Sequence, residues 1–331
     1  MKTEKNKLRL NIPSLKRFYP WTRVVFLNKL YISSQISQDT IADRKCYTHY
    51  MFTTLIPPSE LAIHLHDPAW VILDCRFSLS NPAQSEDDYI AAHIPGAVYL
   101  HLERDLSAPP VMGVTGRHPL PDASQAGRVF TRCGIAPGVQ VAVYDAAGGA
   151  LAAARAWWML RWLGHLAVAV LDGGWQKWQQ DGHPVVAGVE VNSPGAFHSV
   201  PKPEMVMTSA EAAGFILQAE FTFVDSRSAD RFHGINETID PVAGHIPGAL
   251  SAPYTENLNP DGSMRSKDEL RQRFSALMNN VPAERAVFYC GSGVTACHNI
   301  LALEHAGLGQ ARLYAGSWSE WITDPSRPTT K

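Results

Sequence analysis

The chain has 331 residues, 45% of them hydrophobic and 18% charged, with a formal net charge of −2; that is the composition of a folded protein long enough for two cores. The near-neutral balance argues against nucleic acid as a partner, and no run approaches the roughly 18–20 apolar residues of a membrane-spanning helix. The five cysteines, Cys46, Cys75, Cys133, Cys290 and Cys297, match neither a disulfide framework nor a paired zinc motif, which points to a reducing compartment.

Residues 1–50 hold ten Lys/Arg and three Asp/Glu, which leaves 19 and 28, a net of −9, for the rest. This basic arm carries Pro13 and Pro20 and no sustained helical period. It is expected to be a dispensable extension, with Met51 opening the folded protein; a mitochondrial transit peptide is the alternative to a cytoplasmic chain. SELAIHL (59–65) predicts a helix capped by Ser59. VILDCR (71–76) predicts a strand, followed by AHIPGAVYL (92–100). DASQAGRVFTRCG (122–134) predicts a helix with Asp122 as N-cap and Gly134 as stop. The apolar run VAVYD (141–145) predicts a buried strand, and LAAARAWWMLRWLG (151–164) a helix ending in glycine. LAVAVL (166–171) and GGWQKW (173–178) follow. The proline-rich stretch after His183 reads as a linker over 185–207.

The same blocks then return in the same order. TFVDSR (222–227), GHIPGALSA (244–252), AVFYC (286–290), the helical GVTACHNILALEHAG (293–307), ARLY (311–314) and GSWSEW (316–321) repeat the first half at offsets of about 143–152 positions. Ser266 with Glu269 marks one further helix start, a capping box. One domain is therefore duplicated, over 51–184 and 208–331. Alternating strands and helices predict an α/β fold in which each copy is a mainly parallel sheet flanked by helices. The pairs Trp175/Trp178 and Trp318/Trp321 read as core packing.

The copies differ at the end of one strand, where the first has Asp145 and the second Cys290. Cys290 is followed by Gly291-Ser292-Gly293-Val294-Thr295 and then a helix. A strand, a two-glycine turn and a helix N-terminus aim backbone N–H groups into one pocket and stabilise an anion, here a thiolate. A buried structural cysteine is the competing reading; the glycines and the thiol-free twin weigh against it.

CGSGVTA (290–296), the two HIPGA blocks and GSWSEW resemble the two-domain rhodanese-type sulfurtransferases, within them the 3-mercaptopyruvate group, over residues 52–325. The resemblance implies tandem rhodanese-like domains, an inactive first copy, an active site between them and Cys290 as the sulfur-carrying nucleophile. It also implies a donor, 3-mercaptopyruvate or thiosulfate, and an acceptor, a thiol such as thioredoxin or glutathione, or cyanide. No cofactor and no metal is implied. Thiosulfate-specific relatives place two basic side chains directly after the cysteine; the uncharged Gly291 and Ser292 favour 3-mercaptopyruvate. By the same resemblance Arg155 matches a substrate-binding arginine, with Arg161 a second candidate. Gly291, Gly293, Val294 and Thr295 would form the substrate-binding loop. Ser292, His118 in GRHPLP and Glu103 match a serine–histidine–acid relay, with Asp105 a rival for the acid.

Three other chemistries fit less well. A cysteine phosphatase needs an arginine six positions after the cysteine to clamp the phosphoryl group, and position 296 is alanine. A metal site from Cys290, Cys297 and His298 lacks a converging second ligand pair. A non-catalytic sulfur carrier would need no cationic donor pocket.

Overall fold

The computed structural model of the protein describes residues 51–331 apart from 79–80 and 217–219. The expectations for the basic arm 1–50 lie outside the described residues. Two parallel sheets organise the chain. The first holds β1 (Leu55–Ile56), β2 (Trp70–Asp74), β3 (Ala97–Tyr99), β4 (Gln140–Tyr144) and β5 (Val168–Leu171) in the order β1-β5-β4-β2-β3. The second holds β6 (Thr222–Asp225), β7 (Leu250–Ser251), β8 (Ala286–Tyr289) and β9 (Arg312–Leu313) in the order β7-β6-β8-β9. Matched strand for strand the two orders are the same, and every pairing is parallel. The counterpart of β1 in the second copy shrinks to a parallel bridge between Val206 and Leu313. β4, β5 and β8 are buried along their whole length, as strands covered on both faces must be.

The repeated motifs are repeated because they close the same buried network. Arg76 lies in a fork on Asp74, donates to Ala92 O at 2.6 Å and stacks 4.3 Å over Trp175. Arg227 does the same with Asp225, Gly244 O at 2.7 Å and Trp318 at 4.9 Å. In each HIPGA block the isoleucine amide donates to a strand tyrosine, Ile94 to Tyr144 and Ile246 to Tyr289, both at 3.2 Å. The neighbouring histidines, His93 and His245, each bond a backbone carbonyl of the preceding helix region at 2.8 Å. Buried charges survive here because every one has a partner. Both tryptophan pairs are buried.

The caps follow the sequence with one correction. Asp122 accepts from Gln125 N at 2.7 Å, and Ser266 with Glu269 forms the full capping box. Ser59 is not a cap. The first helix spans Pro58–Ala62 with Pro57 as N-cap residue, because Pro58 is already fixed at the helical φ and places Ser59 inside the first turn. Helix Pro82–Ala91 has no sequence forecast; of its residues whose side chains are described only Ser85 and Tyr89 are buried, too few to show a period.

The linker 185–207 lies packed along the first copy. His93 and Val186 form an antiparallel bridge, Gly188 N donates to Ile90 O, Asn192 caps Cys133 O, and Val200 and Lys202 donate to Leu163 O and Trp162 O. Its prolines favour an extended strap along the first copy, broken by one 3-10 turn at Pro203–Met205. The C-terminus repeats the beginning of this strap, with Thr330 bridging His245 and Pro328 O accepting from Trp321 as Pro184 O accepts from Trp178.

The duplicated helices Ala152–Trp162 and Thr295–His305 pack against one another, and one apolar cluster runs through both copies across them. Alanines at 152–154, 156, 296 and 302 let the backbones approach. Arg161 crosses this seam to Glu304 at 2.7 Å. Among the described residues no helix is long and apolar enough to cross a membrane.

Candidate active site

β8 delivers Cys290 to the seam between the copies. Its side chain is buried, only 2% exposed, and the Gly293 N–H donates to its sulfur at 3.1 Å. Gly293 must be glycine twice over: φ is +77°, and a Cβ there would stand 2.3 Å from Ala315 O. The helix that follows begins at Thr295 and points its N-terminus at the loop.

The first copy shows what such a loop does. Asp145, in the place of Cys290, is buried, and its carboxylate accepts from the amides of Ala147, Gly149, Leu151 and Ala153 at 2.8–3.1 Å. Burial pushes its pKa up while those four donors pull it back, with the net above the ordinary carboxylate value. The loop is thus an anion nest filled by the chain's own carboxylate. In the second copy the Gly293 amide donates to the sulfur, and the loop around it lines a cavity.

That cavity, about 1090 Å³, is lined from the second copy by Cys290, Gly291, Ser292, Val294, Thr295, Arg231 and Tyr254, and from the first by Glu103, Arg117 and His118. Residues 116–118 are pinned across the seam at successive positions. Gly116 packs so close to Gly316 that a Cβ would lie 2.5 Å from its carbonyl oxygen. Arg117 N donates to Ser319 Oγ at 3.1 Å. His118 Nδ1 lies 2.8 Å from Ser292 Oγ. Burial, with Arg155 and Arg117 nearby, lowers His118 to about 4, so the ring is neutral at pH 7.

The structure brings Ser292 and His118 together but leaves Glu103 apart. Glu103 Oε1 is 3.9 Å from His118 Nε2 on a half-exposed side chain, beyond hydrogen-bonding distance. Asp105 is engaged elsewhere, accepting from His101 N at 2.9 Å and Arg132 at 2.6 Å. Of the expected loop contacts, Gly291, Val294 and Thr295 face the cavity; Gly293 faces inward, its carbonyl accepting from Arg155.

The two arginines expected to bind substrate do not reach the cavity. Arg155 is fully buried beneath the loop and donates to Gly293 O at 2.9 Å and His118 O at 3.2 Å. Arg161 is spent on Glu304. A helix arginine facing a domain seam looks the same in sequence whether it points at a ligand or at a neighbouring backbone. The cations that line the cavity are Arg117, Arg227 and Arg231. Arg117 could have been noticed from its place beside His118, and Arg231 from its place just after the buried Arg227.

Sequence reading also missed Ser317. It sits at φ +56° where the first copy has Gly174 at +61°, and its hydroxyl accepts from Cys290 N at 3.1 Å while donating to Tyr314 O at 3.0 Å. The remaining described cysteines are free and buried. Burial raises Cys133 and Cys297 to about 12 and Cys75 well above its ordinary value, so these stay thiols.

Comparison with known proteins agrees with this geometry. The rhodanese-like domain family model matches residues 57–181 and 209–324. The chain is 47% identical over 275 residues to the probable 3-mercaptopyruvate sulfurtransferase of Pseudomonas aeruginosa, covering 83% of this chain and 96% of that one. It is 38% identical over 284 residues to a putative thiosulfate sulfurtransferase of Mycobacterium tuberculosis, covering 83% and 95%. Among solved structures, the 3-mercaptopyruvate sulfurtransferase from Leishmania major superposes with a TM-score of 0.73 at 33% identity, covering 83% of this chain and 75% of that one. A duplicated parallel fold and these matches together place the chain in the rhodanese-like family, as a tandem two-domain member.

Proposed function

We propose that the protein is a sulfurtransferase that takes the thiol sulfur of 3-mercaptopyruvate onto Cys290, where it becomes the sulfane sulfur of a persulfide, and passes it to a thiol acceptor. The Cys290 thiolate attacks the donor sulfur, the carbon–sulfur bond breaks, and its electron pair moves onto carbon as the enolate of pyruvate. One proton taken up from solvent completes pyruvate and leaves a Cys290 persulfide. The amides of the nest that suit a thiolate suit the persulfide equally.

The observation that carries the donor assignment is the loop itself: Gly291 and Ser292 are uncharged, and Ser292 is paired with a neutral His118. With its proton on Nδ1, His118 donates to Ser292 Oγ and frees the hydroxyl hydrogen for the donor's ketone oxygen. A donor aimed at the oxygen where charge develops lowers the barrier to the enolate. Glu103, 3.9 Å away and half exposed, has at most an electrostatic part in this. Carboxylate capture falls to cavity-lining arginines such as Arg231. The same arginines would suit thiosulfate, the donor in the name of the Mycobacterium tuberculosis relative, and this is the second reading.

A persulfide at the floor of an open cavity can meet a small thiol such as glutathione, cyanide, or the active cysteine of a thioredoxin-like protein. The described cysteines, all free, fit a reducing compartment such as the cytoplasm. The test is steady-state turnover of 3-mercaptopyruvate and thiosulfate with one common acceptor, together with intact-mass analysis of the donor-treated protein. We expect kcat/KM to favour 3-mercaptopyruvate by at least about tenfold, roughly 1.4 kcal/mol. One added sulfur should appear on wild type and not on Cys290→Ser. Equal or better turnover with thiosulfate would overturn the donor; an adduct on the Ser variant would overturn the nucleophile.

A further inference from the structure

We propose that Arg117, supplied by the copy that lacks the thiol, binds the donor's carboxylate and helps set donor choice, with Asp240 as its resting counter-ion. The assignment deepens the 3-mercaptopyruvate reading and rests on it.

The first argument is steric. The Arg117 guanidinium stands 2.7 Å from the point a Cβ on Gly291 would occupy, with the Arg231 guanidinium at 3.7 Å from the same point. The end of the Arg117 side chain therefore occupies the space beside Gly291, and a side chain at 291 would have to displace it. A cation reaching over from 117 thus stands where a cation on the loop at 291 would otherwise lie. The backbone leaves Arg117 little choice, since Gly116, the Arg117 amide and His118 are each held against the second copy. With its backbone so held, Arg117 presents its guanidinium at the cavity wall beside the Cys290 loop.

The second argument is charge. A ladder runs outward from the core of the second copy: Asp225, Arg227, Glu237, Arg231, Asp240 and finally Arg117. Arg227 touches two carboxylates, Asp225 and Glu237, and Arg231 touches two, Glu237 and Asp240. Arg117 is the end of the ladder with one, Asp240. Its side chain is 36% exposed, against 1% for Arg227 and 16% for Arg231. The open donors of Arg117 face the cavity, where a planar carboxylate can take them as a fork. The ladder's three cations and three acids cancel. One added negative charge is accommodated at its open end, whereas the second charge of a dianion such as thiosulfate meets Asp240.

The experiment separates the two half-reactions in the full chain. Pyruvate release in a single turnover reports donor attack; decay of preformed Cys290 persulfide with 2-mercaptoethanol, a neutral thiol, reports transfer. Arg117→Gln should lower donor kcat/KM about 30-fold, mostly through KM, and leave the second half-reaction within about twofold. Arg117→Lys should recover part of the loss through its charge. Asp240→Asn should narrow the preference for 3-mercaptopyruvate over thiosulfate by about threefold or more, since it removes the repulsive partner. Unchanged donor kinetics in Arg117→Gln, or equal losses in both half-reactions, would overturn the assignment and make Arg117 a mere fastener of the seam. Wild-type protein that releases no pyruvate would instead sink the donor reading, and this assignment with it.

Discussion

The backbone amide of Cys290 donates to the hydroxyl of Ser317, and Ser317 can be there only by adopting φ +56°. Outside glycine and asparagine the left-handed region is uncommon and costs about 1 kcal/mol or more. The first copy, with no thiol to hold, uses Gly174 at the same turn. Strain is thus accepted in the second copy in exchange for a hydroxyl under the nucleophile. Ser317→Gly removes the strain and two hydrogen bonds, which nearly cancel, so its unfolding free energy should stay within about 1 kcal/mol of wild type. Ser317→Ala keeps the strain and loses the bonds, and should be less stable by about 1–3 kcal/mol. Both should slow persulfide formation several-fold. Urea unfolding and single-turnover rates check this, and a Gly variant with wild-type rate would show that Ser317 does not position Cys290.

Arg155 carries a different expectation from the one its sequence suggested. Its guanidinium is fully buried with no carboxylate in salt-bridge range among the described residues, and burial pushes its pKa down. It joins the catalytic loop at Gly293 O to the incoming segment at His118 O. Arg155→Met should cost about 1–3 kcal/mol, because two buried carbonyls lose their donors while one desolvation cost is relieved. Both half-reactions should slow together, since the loop shifts as a whole. Arg155→Lys should not restore them, because one ammonium cannot span both carbonyls as a fork does. A loss confined to donor KM would return Arg155 to a substrate-binding role.

The duplication, the parallel sheets and the place of Cys290 were legible because they are written in local patterns: apolar strand runs, glycines at forced φ and blocks that recur. The partners of the cysteine were less so. Ser292 could be named from its neighbourhood, but Arg117 and Asp240 meet across 123 residues of sequence. Nothing local marks which of several arginines a fold will turn towards a cavity. Arg155 and Arg231 both sit near a duplicated motif, and only burial separates a loop support from a cavity wall. That the linker 185–207 packs as a strap was, for the same reason, not legible. Prolines disfavour a long helix and say nothing of whether the segment packs.

His118 gives a pH prediction whose sign can be worked out. Burial lowers it to about 4, against about 6.5 in an unfolded chain. Between those values the unfolded chain binds the proton and the folded one does not. Stability from this group therefore rises with pH through the window and is lost as pH falls from about 6.5 towards 4. His298, lowered to about 3, and His305, lowered to about 4, act in the same direction. Glu304, Asp145 and Asp172 are raised by burial and act oppositely, so the difference between proteins carries the prediction. His118→Gln should remove a slope of up to about 1.4 kcal/mol per pH unit between pH 4.5 and 6. Urea midpoints from pH 4.5 to 7.5 would show the wild type and variant curves converging as pH falls. In wild type the His118 ring resonances should stay at their neutral positions down to about pH 5.5 and move only below it. A ring that titrates near 6.5 would mean that His118 is open to solvent and that its contact with Ser292 is not held in solution.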